Sequence, residues 1–178
     1  RGTDYSLVGW KEDFNMTFQE TIPAQLLAQA YTEEIGSKYI MPLRVCGHSK
    51  GGNLAVFSAV KAEESIRNRI REIYNHDGPG FTEFVMSDPA YKELATRIRT
   101  VVPQSSVIGM LLDHEEPYTI IRSKQIGLLQ HDPYSWEVLG KDFIRMEEVT
   151  PNSKFVYSVQ LSLVGQFSQV CVSDLKLY

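Results

Sequence analysis

Between residues 24 and 35, apolar positions recur at Leu26, Leu27, Ala30 and Tyr31, the spacing of one helical face. Thr21 and Pro23 offer a start and Gly36 a stop. Residues 43–46 form a short strand candidate, and residues 51–61, with Leu54, Ala55, Phe57 and Ala59, read as a helix. A second strand candidate covers 70–74. Asp88 then caps a helix with Pro89 in its first turn, running to about Ile98. Residues 99–102 and 118–123 complete the strand candidates, the former stopped by Pro103. Strands alternating with helices predict an α/β fold, a mainly parallel sheet flanked by helices. The tail from 151 to 178 breaks this rhythm: Phe155, Tyr157, Val159, Leu161 and Leu163 alternate with polar neighbours, as a half-exposed strand does.

Composition narrows the class. A chain of 178 residues with 43% hydrophobic and 22% charged positions reads as one soluble globular domain spanning 1–178. Its formal net charge of -4 argues against nucleic acid as a partner, since phosphate binding needs a basic face. The densest basic run, Arg67, Arg69 and Arg71, follows Glu63 and Glu64 and reads as solvated, charge-mixed surface. Cys46 and Cys171 are too few and too distant for a disulfide framework or a zinc site, and Cys46 is expected to be a buried, reduced thiol. Neither a cofactor nor a metal is expected. No apolar stretch is long enough to span a membrane, and a cytoplasmic location is the expectation. The chain opens on Arg1 rather than a methionine and reads as a piece of a longer one.

The candidate chemistry lies where the first strand meets its helix, in "CGHSKGG", residues 46–52. Gly-x-Ser-x-Gly between strand and helix is the pattern of a nucleophile elbow. The bend around Ser49 must be so tight that Gly47 and Gly51 carry no side chain, and Gly52 lets the helix approach the sheet. The helix N-terminus directs amides and positive dipole at the place where an oxyanion forms. Lys50 would lend its backbone N–H there, with its side chain facing outward. The competing reading is a glycine-rich turn with an incidental serine.

A serine needs a base. His48 adjoins Ser49, but adjacent side chains on a sharp turn diverge, so a structural hydrogen bond to a neighbouring loop suits it better. His76 is poorly ordered in the chain for the role. His114, in the charged stretch "LLDHEEPY", reads as solvated. His131 lies late, on a loop with Pro133 and Trp136, and is favoured. For the acid that orients it, Asp77 ends the second strand, where α/β sites collect. Asp113 is its rival but reads as surface charge beside Glu115 and Glu116, and Asp132 is too near His131. Asp77 also fits a plain turn before glycine.

These residues carry a resemblance. "RGTDYSLVGWKEDF", residues 1–14, looks like the segment of class 3 lipases in which Arg-Gly-Thr or Arg-Gly-Ser precedes a Trp and an Asp. "GHSKGGNLA" resembles their elbow, with Lys50 replacing a leucine. Together with "NHDGPGF", "VVPQSSVIGMLL" and "QHDPYSW", they resemble an uncharacterised bacterial family of lipase-like α/β-hydrolases, a domain of unknown function, over roughly residues 1–145. The resemblance implies a serine hydrolase of esters. It makes Thr3 an oxyanion-hole residue beside Lys50, and His131 the base, because in those lipases the histidine also precedes a tryptophan. It also implies strands ahead of Arg1. The acid departs from the pattern: class 3 lipases carry it after the next strand, where this chain has Ser105 and Ser106. Another group, resembling pancreatic lipase, carries it one strand earlier, in a turn that "HDGPGF" resembles, which favours Asp77.

The expectation is therefore an esterase acting on a small-molecule ester or lipid through Ser49, His131 and Asp77. Ile108, Met110, Leu111 and Leu112 would line an acyl pocket or simply form core. The alternative is a non-catalytic, hydrolase-like binding or scaffold domain, in which Asp77 and His131 lie out of hydrogen-bond reach of each other.

Overall fold

The computed structural model describes residue 16 and residues 19–151. The Arg-Gly-Thr segment with Thr3, and the alternating stretch at 155–163, lie outside the described residues.

Helix α1 (Pro23–Lys38) begins where Pro23 pre-sets the first turn and the Gln25 side chain accepts the Ile22 N–H at 3.0 Å. It does not stop at Gly36. That residue is a contact point, since a Cβ there would meet Ile66 Cγ2 at 2.5 Å. The helix ends two residues later, where the Arg69 guanidinium donates to the carbonyls of Gly36 and Tyr39, each at 2.5 Å. The face turned inward is also not the predicted one. Gln25, Thr32 and Gly36 are buried, whereas Leu26, Leu27 and Tyr31 are exposed, Leu27 at 71%. Hydrogen bonding explains the inversion: Gln25 Nε2 donates to Asn53 Oδ1 at 2.9 Å and Gln29 Nε2 to the Lys61 carbonyl at 3.0 Å. Buried amides are tolerated when satisfied.

Strand β1 (Leu43–His48) feeds helix α2 (Lys50–Lys61), the short helix α3 (Glu64–Arg67) and strand β2 (Ile70–His76). Helices α4 (Glu83–Met86) and α5 (Pro89–Leu94) lead to β3 (Ile98–Pro103), and a 3-10 turn at Ile108–Met110 precedes β4 (Tyr118–Ile121). Asp88 caps α5 through the Ala90 N–H at 2.9 Å and pairs with Lys61 at 2.7 Å. The four strands form one all-parallel sheet in the order β1-β2-β3-β4. This is the expected α/β fold. A hairpin, β5 (Val138–Leu139) with β6 (Asp142–Phe143), follows the sheet, turning at Gly140 with φ 66°.

The core packs α2 and α5 against the sheet: Val56, Phe57 and Val60 meet Ile70, Ile73, Tyr91, Leu94 and Ile98. Each fully buried apolar side chain contributes roughly 1.5–3 kcal/mol. Two surface expectations change. β1 is at one end of the four-strand order, so Val45 packs on the core while Arg44 and Cys46 on the opposite face are exposed; the thiol is free but not buried. In the basic run, Arg67 is partly buried, donating to the Ala62 carbonyl at 3.1 Å and facing Glu93 at 3.6 Å, and Arg69 caps α1. Arg67 and Arg69 thus close helix ends, while Arg71, Glu63 and Glu64 are exposed, as a charge-mixed surface requires.

Candidate active site

Ser49 sits between β1 and α2 with φ 59° and ψ -136°, a region costly for a residue with a Cβ. Its N–H donates to the His76 carbonyl at 2.9 Å, extending the β1–β2 ladder one residue past the strand. The chain then reverses into the helix so sharply that a Cβ on Gly47 would lie 1.9 Å from the Gly51 carbonyl oxygen. One helical turn on, a Cβ on Gly52 would meet Asn75 Oδ1 of β2 at 2.1 Å. Both glycines are therefore required for the reasons steric argument gives. Lys50 is a correction. It is only 7% exposed, and the first helical turn, Lys50 to Asn53, is buried throughout, rather than presenting the lysine to solvent.

Asp77 follows β2 with φ 52°, and its N–H donates to the Val101 carbonyl at 2.8 Å. Among described non-glycine residues, only Ser49, Asp77 and Leu112 have positive φ. Strain of this kind collects where function fixes a side chain. The Asp77 carboxylate is 1% exposed and accepts three hydrogen bonds: His131 Nδ1–H on Oδ2 at 2.7 Å, and on Oδ1 Ser106 Oγ–H at 2.5 Å and the Gly109 N–H at 3.2 Å. A buried carboxylate needs such partners. Asp113, its rival, has an exposed side chain and an antiparallel backbone pairing with Phe81. Asp132 caps the next turn by accepting the Tyr134 N–H at 3.0 Å.

His131 ends a 3-10 turn, Gly127–His131, held from several sides. The buried Gln130 beside it accepts the Ser105 N–H at 2.9 Å and donates to the Gln125 carbonyl at 2.8 Å, and its own carbonyl accepts Trp136 Nε1–H at 2.8 Å. His48 Nε2–H donates to the His131 carbonyl at 2.7 Å, with the two rings 4.6 Å apart, and so docks the loop on the elbow. This is the structural bond expected of His48. Trp136 sets its indole edge-to-face with His48 and with His76, at 6.0 and 6.1 Å. Burial first, and then the neighbouring His131, hold the His48 imidazole below its ordinary pKa; burial and then His48 do the same to His76.

Several residues that sequence reasoning passed over brace this arrangement. Asn53 of α2 donates to the Pro79 and Gly80 carbonyls at 3.2 and 2.8 Å, fixing the loop after Asp77. Asn75 Oδ1 accepts the Gly78 N–H at 3.0 Å. Ser106 stands where the class 3 pattern would carry the acid, and it hydrogen-bonds the carboxylate that comes from the neighbouring strand instead. His114, expected to be solvated, is largely enclosed; it and the buried Glu116 bond to each other at 3.0 Å. Among the described residues, no group of His, Cys, Asp and Glu is arranged to hold a metal ion, and no helix is long and apolar enough to cross a membrane.

Fold and site together define an α/β protein with a strained serine at a strand–helix bend and a buried aspartate bonded to a loop histidine. Residues 1–169 match the model of the Mbeg1-like family, and the chain belongs to that family. No curated protein matches it. No solved structure matches it either.

Proposed function

We propose that the protein is a serine hydrolase that cleaves carboxylic esters, with Ser49 as nucleophile, His131 as base and Asp77 as acid. The observation that carries this reading is the 2.7 Å hydrogen bond between His131 Nδ1 and the buried Asp77 carboxylate, made by a loop that His48 docks onto the Ser49 elbow. With Nδ1–H committed to Asp77, Nε2 carries the lone pair a base requires. A scaffold domain has no need of that pairing, and the separation expected of one is not found.

In the proposed reaction, Ser49 Oγ bonds to the ester carbonyl carbon while its proton passes to His131 Nε2. The carbonyl electron pair becomes an oxyanion, which the reading assigns to the amides of Lys50 and Thr3. Collapse of the tetrahedral intermediate breaks the ester C–O bond, and the departing alcohol takes the proton from His131. Water then attacks the acyl-enzyme by the same route, releasing the acid and restoring Ser49. An apolar substrate, a small-molecule ester or lipid, suits the surroundings: Ile126, Leu128, Leu129 and Tyr134 flank His131 as exposed apolar surface, Tyr134 at 97%. Ile108 and Met110, in the turn that holds Asp77, and Leu111 and Leu112 just after it are half-buried and offer further apolar surface.

Labelling with a fluorophosphonate probe tests the reading. Wild-type protein should label on Ser49, Ser49→Ala should not, and His131→Ala should label far more slowly. Equal labelling of wild type and Ser49→Ala would sink it.

A further inference from the structure

A second histidine–carboxylate pair lies behind the first. Glu116 is buried and its carboxylate is anchored in the core: Thr100 Oγ1–H of β3 donates to Oε1 at 2.6 Å, and the fully buried Tyr91 hydroxyl of α5 donates to Oε2. His114 Nδ1 meets Glu116 Oε1 at 3.0 Å, and its Nε2 meets the Gly109 carbonyl oxygen at 2.9 Å. The other end of Gly109, its N–H, donates to Asp77 Oδ1. One residue therefore joins the two pairs, and it has to be glycine. A Cβ at 109 would lie 2.3 Å from Asp77 Oδ1 and 2.8 Å from Val102 Cγ1.

The chemistry of the partners gives the direction of the effect. Both ring nitrogens of His114 face oxygens, Nδ1 the Glu116 carboxyl and Nε2 the Gly109 carbonyl, so the ring is held at both edges and its Nε2–H donates to Gly109. Glu116 anchors the ring through Nδ1. Burial opposes its ionisation, but the hydrogen bonds and charge of His114, with Thr100 and Tyr91, hold its carboxyl below the ordinary value. The Nε2–H donor on the Gly109 carbonyl polarises that residue's neighbouring peptide groups and fixes the 106–110 turn against the sheet. The same turn supplies both Ser106 Oγ and the Gly109 N–H to Asp77.

We infer that His114, held by Glu116, is a positioning residue for the Asp77–His131 pair, acting through Gly109. It touches no reacting atom. Its part is to keep the turn, and thus Asp77 Oδ2, in line with His131 Nδ1. As a statement about reaction rate the inference rests on the proposed serine-hydrolase reading; as a statement about geometry it does not.

The test compares His114→Phe, which fills the space but donates nothing, with His114→Gln, which retains an amide donor for Gly109. Glu116→Gln serves as the second variant, because a phenyl ring beside a buried carboxylate strands a charge and can prevent folding. Fluorophosphonate inactivation separates kinact from KI. His114→Phe should lower kinact about 10- to 100-fold with KI unchanged, the size expected when a reacting group is displaced by a fraction of an ångström to one ångström. His114→Gln should recover most of the loss, and Glu116→Gln should show a smaller loss in the same direction. In parallel, protein carrying 15N-histidine should show the hydrogen-bonded His131 Nδ1–H proton, assigned by its disappearance in His131→Gln. That signal should weaken or move in His114→Phe and Glu116→Gln and persist in His114→Gln. An unchanged kinact and unchanged proton signal in folded His114→Phe or Glu116→Gln would overturn the inference, as would a loss in kinact that merely follows the fraction of unfolded protein. Failure of the wild-type protein to label at Ser49 would count against the hydrolase reading, while the proton signal would still decide whether His114 positions the pair.

Discussion

Gly52→Ala is the most informative single substitution at the elbow. In an ordinary helix it would stabilise the protein by roughly 0.5–1 kcal/mol, since glycine is the poorer helix former. Here the new methyl would lie 2.1 Å from Asn75 Oδ1, more than an ångström inside contact. Asn75 cannot swing aside cheaply, because it is completely buried and its Oδ1 accepts the Gly78 N–H at 3.0 Å. Forcing it out adds an overpacking cost of about 1–3 kcal/mol and breaks a buried hydrogen bond worth about 1 kcal/mol. The expected net loss is about 2–3 kcal/mol. Asn75→Ala alone should cost about 1–3 kcal/mol by leaving the Gly78 amide without its acceptor. In the double variant the collision is gone. The next obstacle, the Gly47 carbonyl oxygen at 3.2 Å, needs only a small shift. Adding Gly52→Ala to Asn75→Ala should therefore be close to neutral, which makes the coupling about 2–3 kcal/mol. Urea denaturation of the four proteins measures it. Strict additivity, or a Gly52→Ala protein as stable as wild type, would refute the claim that this glycine exists to admit the asparagine.

Ser106→Ala should fold but lose about 1.5–3 kcal/mol, the worth of a hydrogen bond to a charged group, and should label more slowly at Ser49; unchanged stability would mean the hydroxyl does little for Asp77. Arg69→Ala should lose about 1–2 kcal/mol in denaturant, because the Gly36 carbonyl in the last turn of α1 and the Tyr39 carbonyl just past it lose a shared donor. Acid should destabilise the protein in two stages. His48 and His76 have folded-state values below their ordinary 6.5, so the unfolded chain takes up their protons first and stability falls as pH drops below about 6.5. Glu116, held below its ordinary 4.5, adds a second loss as pH falls below about 4.5. A thermal midpoint that is flat between about pH 7.5 and 5.5, or a first stage undiminished in His48→Gln, would contradict this assignment.

What could be read from the chain divides along physical lines. The alternation of short apolar runs with helical spacing was legible because each element answers to its own neighbours, and the all-parallel sheet follows from it. Asp77 and His131 were legible as candidates because strand ends and late loops are where such groups must lie, and the two do meet. The facing of α1 was not legible. Counting apolar positions pointed to Leu26, Leu27 and Tyr31, but the buried side is set by Gln25, whose amide is satisfied by Asn53, 28 residues away. The same limit hid Ser106, Gln130, Asn75 and the His114–Glu116 pair. A polar residue looks like surface until its distant partner is known, and hydropathy carries no record of partners. Lys50 and Cys46 exchanged their expected environments for a related reason, since tertiary context rather than side-chain type decides burial along a short first turn and an end strand.

The two backbone bonds that lengthen the sheet by one rung, Ser49 N–H to His76 and Asp77 N–H to Val101, bear on how this site can open. Amides bonded in that way, beside a core strand, exchange with solvent only when the strand itself comes apart. Their exchange should thus be as slow as that of Ile73 in mid-sheet. Nucleophile and acid candidates then share the fate of the whole fold, and adaptability toward a ligand is left to the apolar loop that carries the histidine.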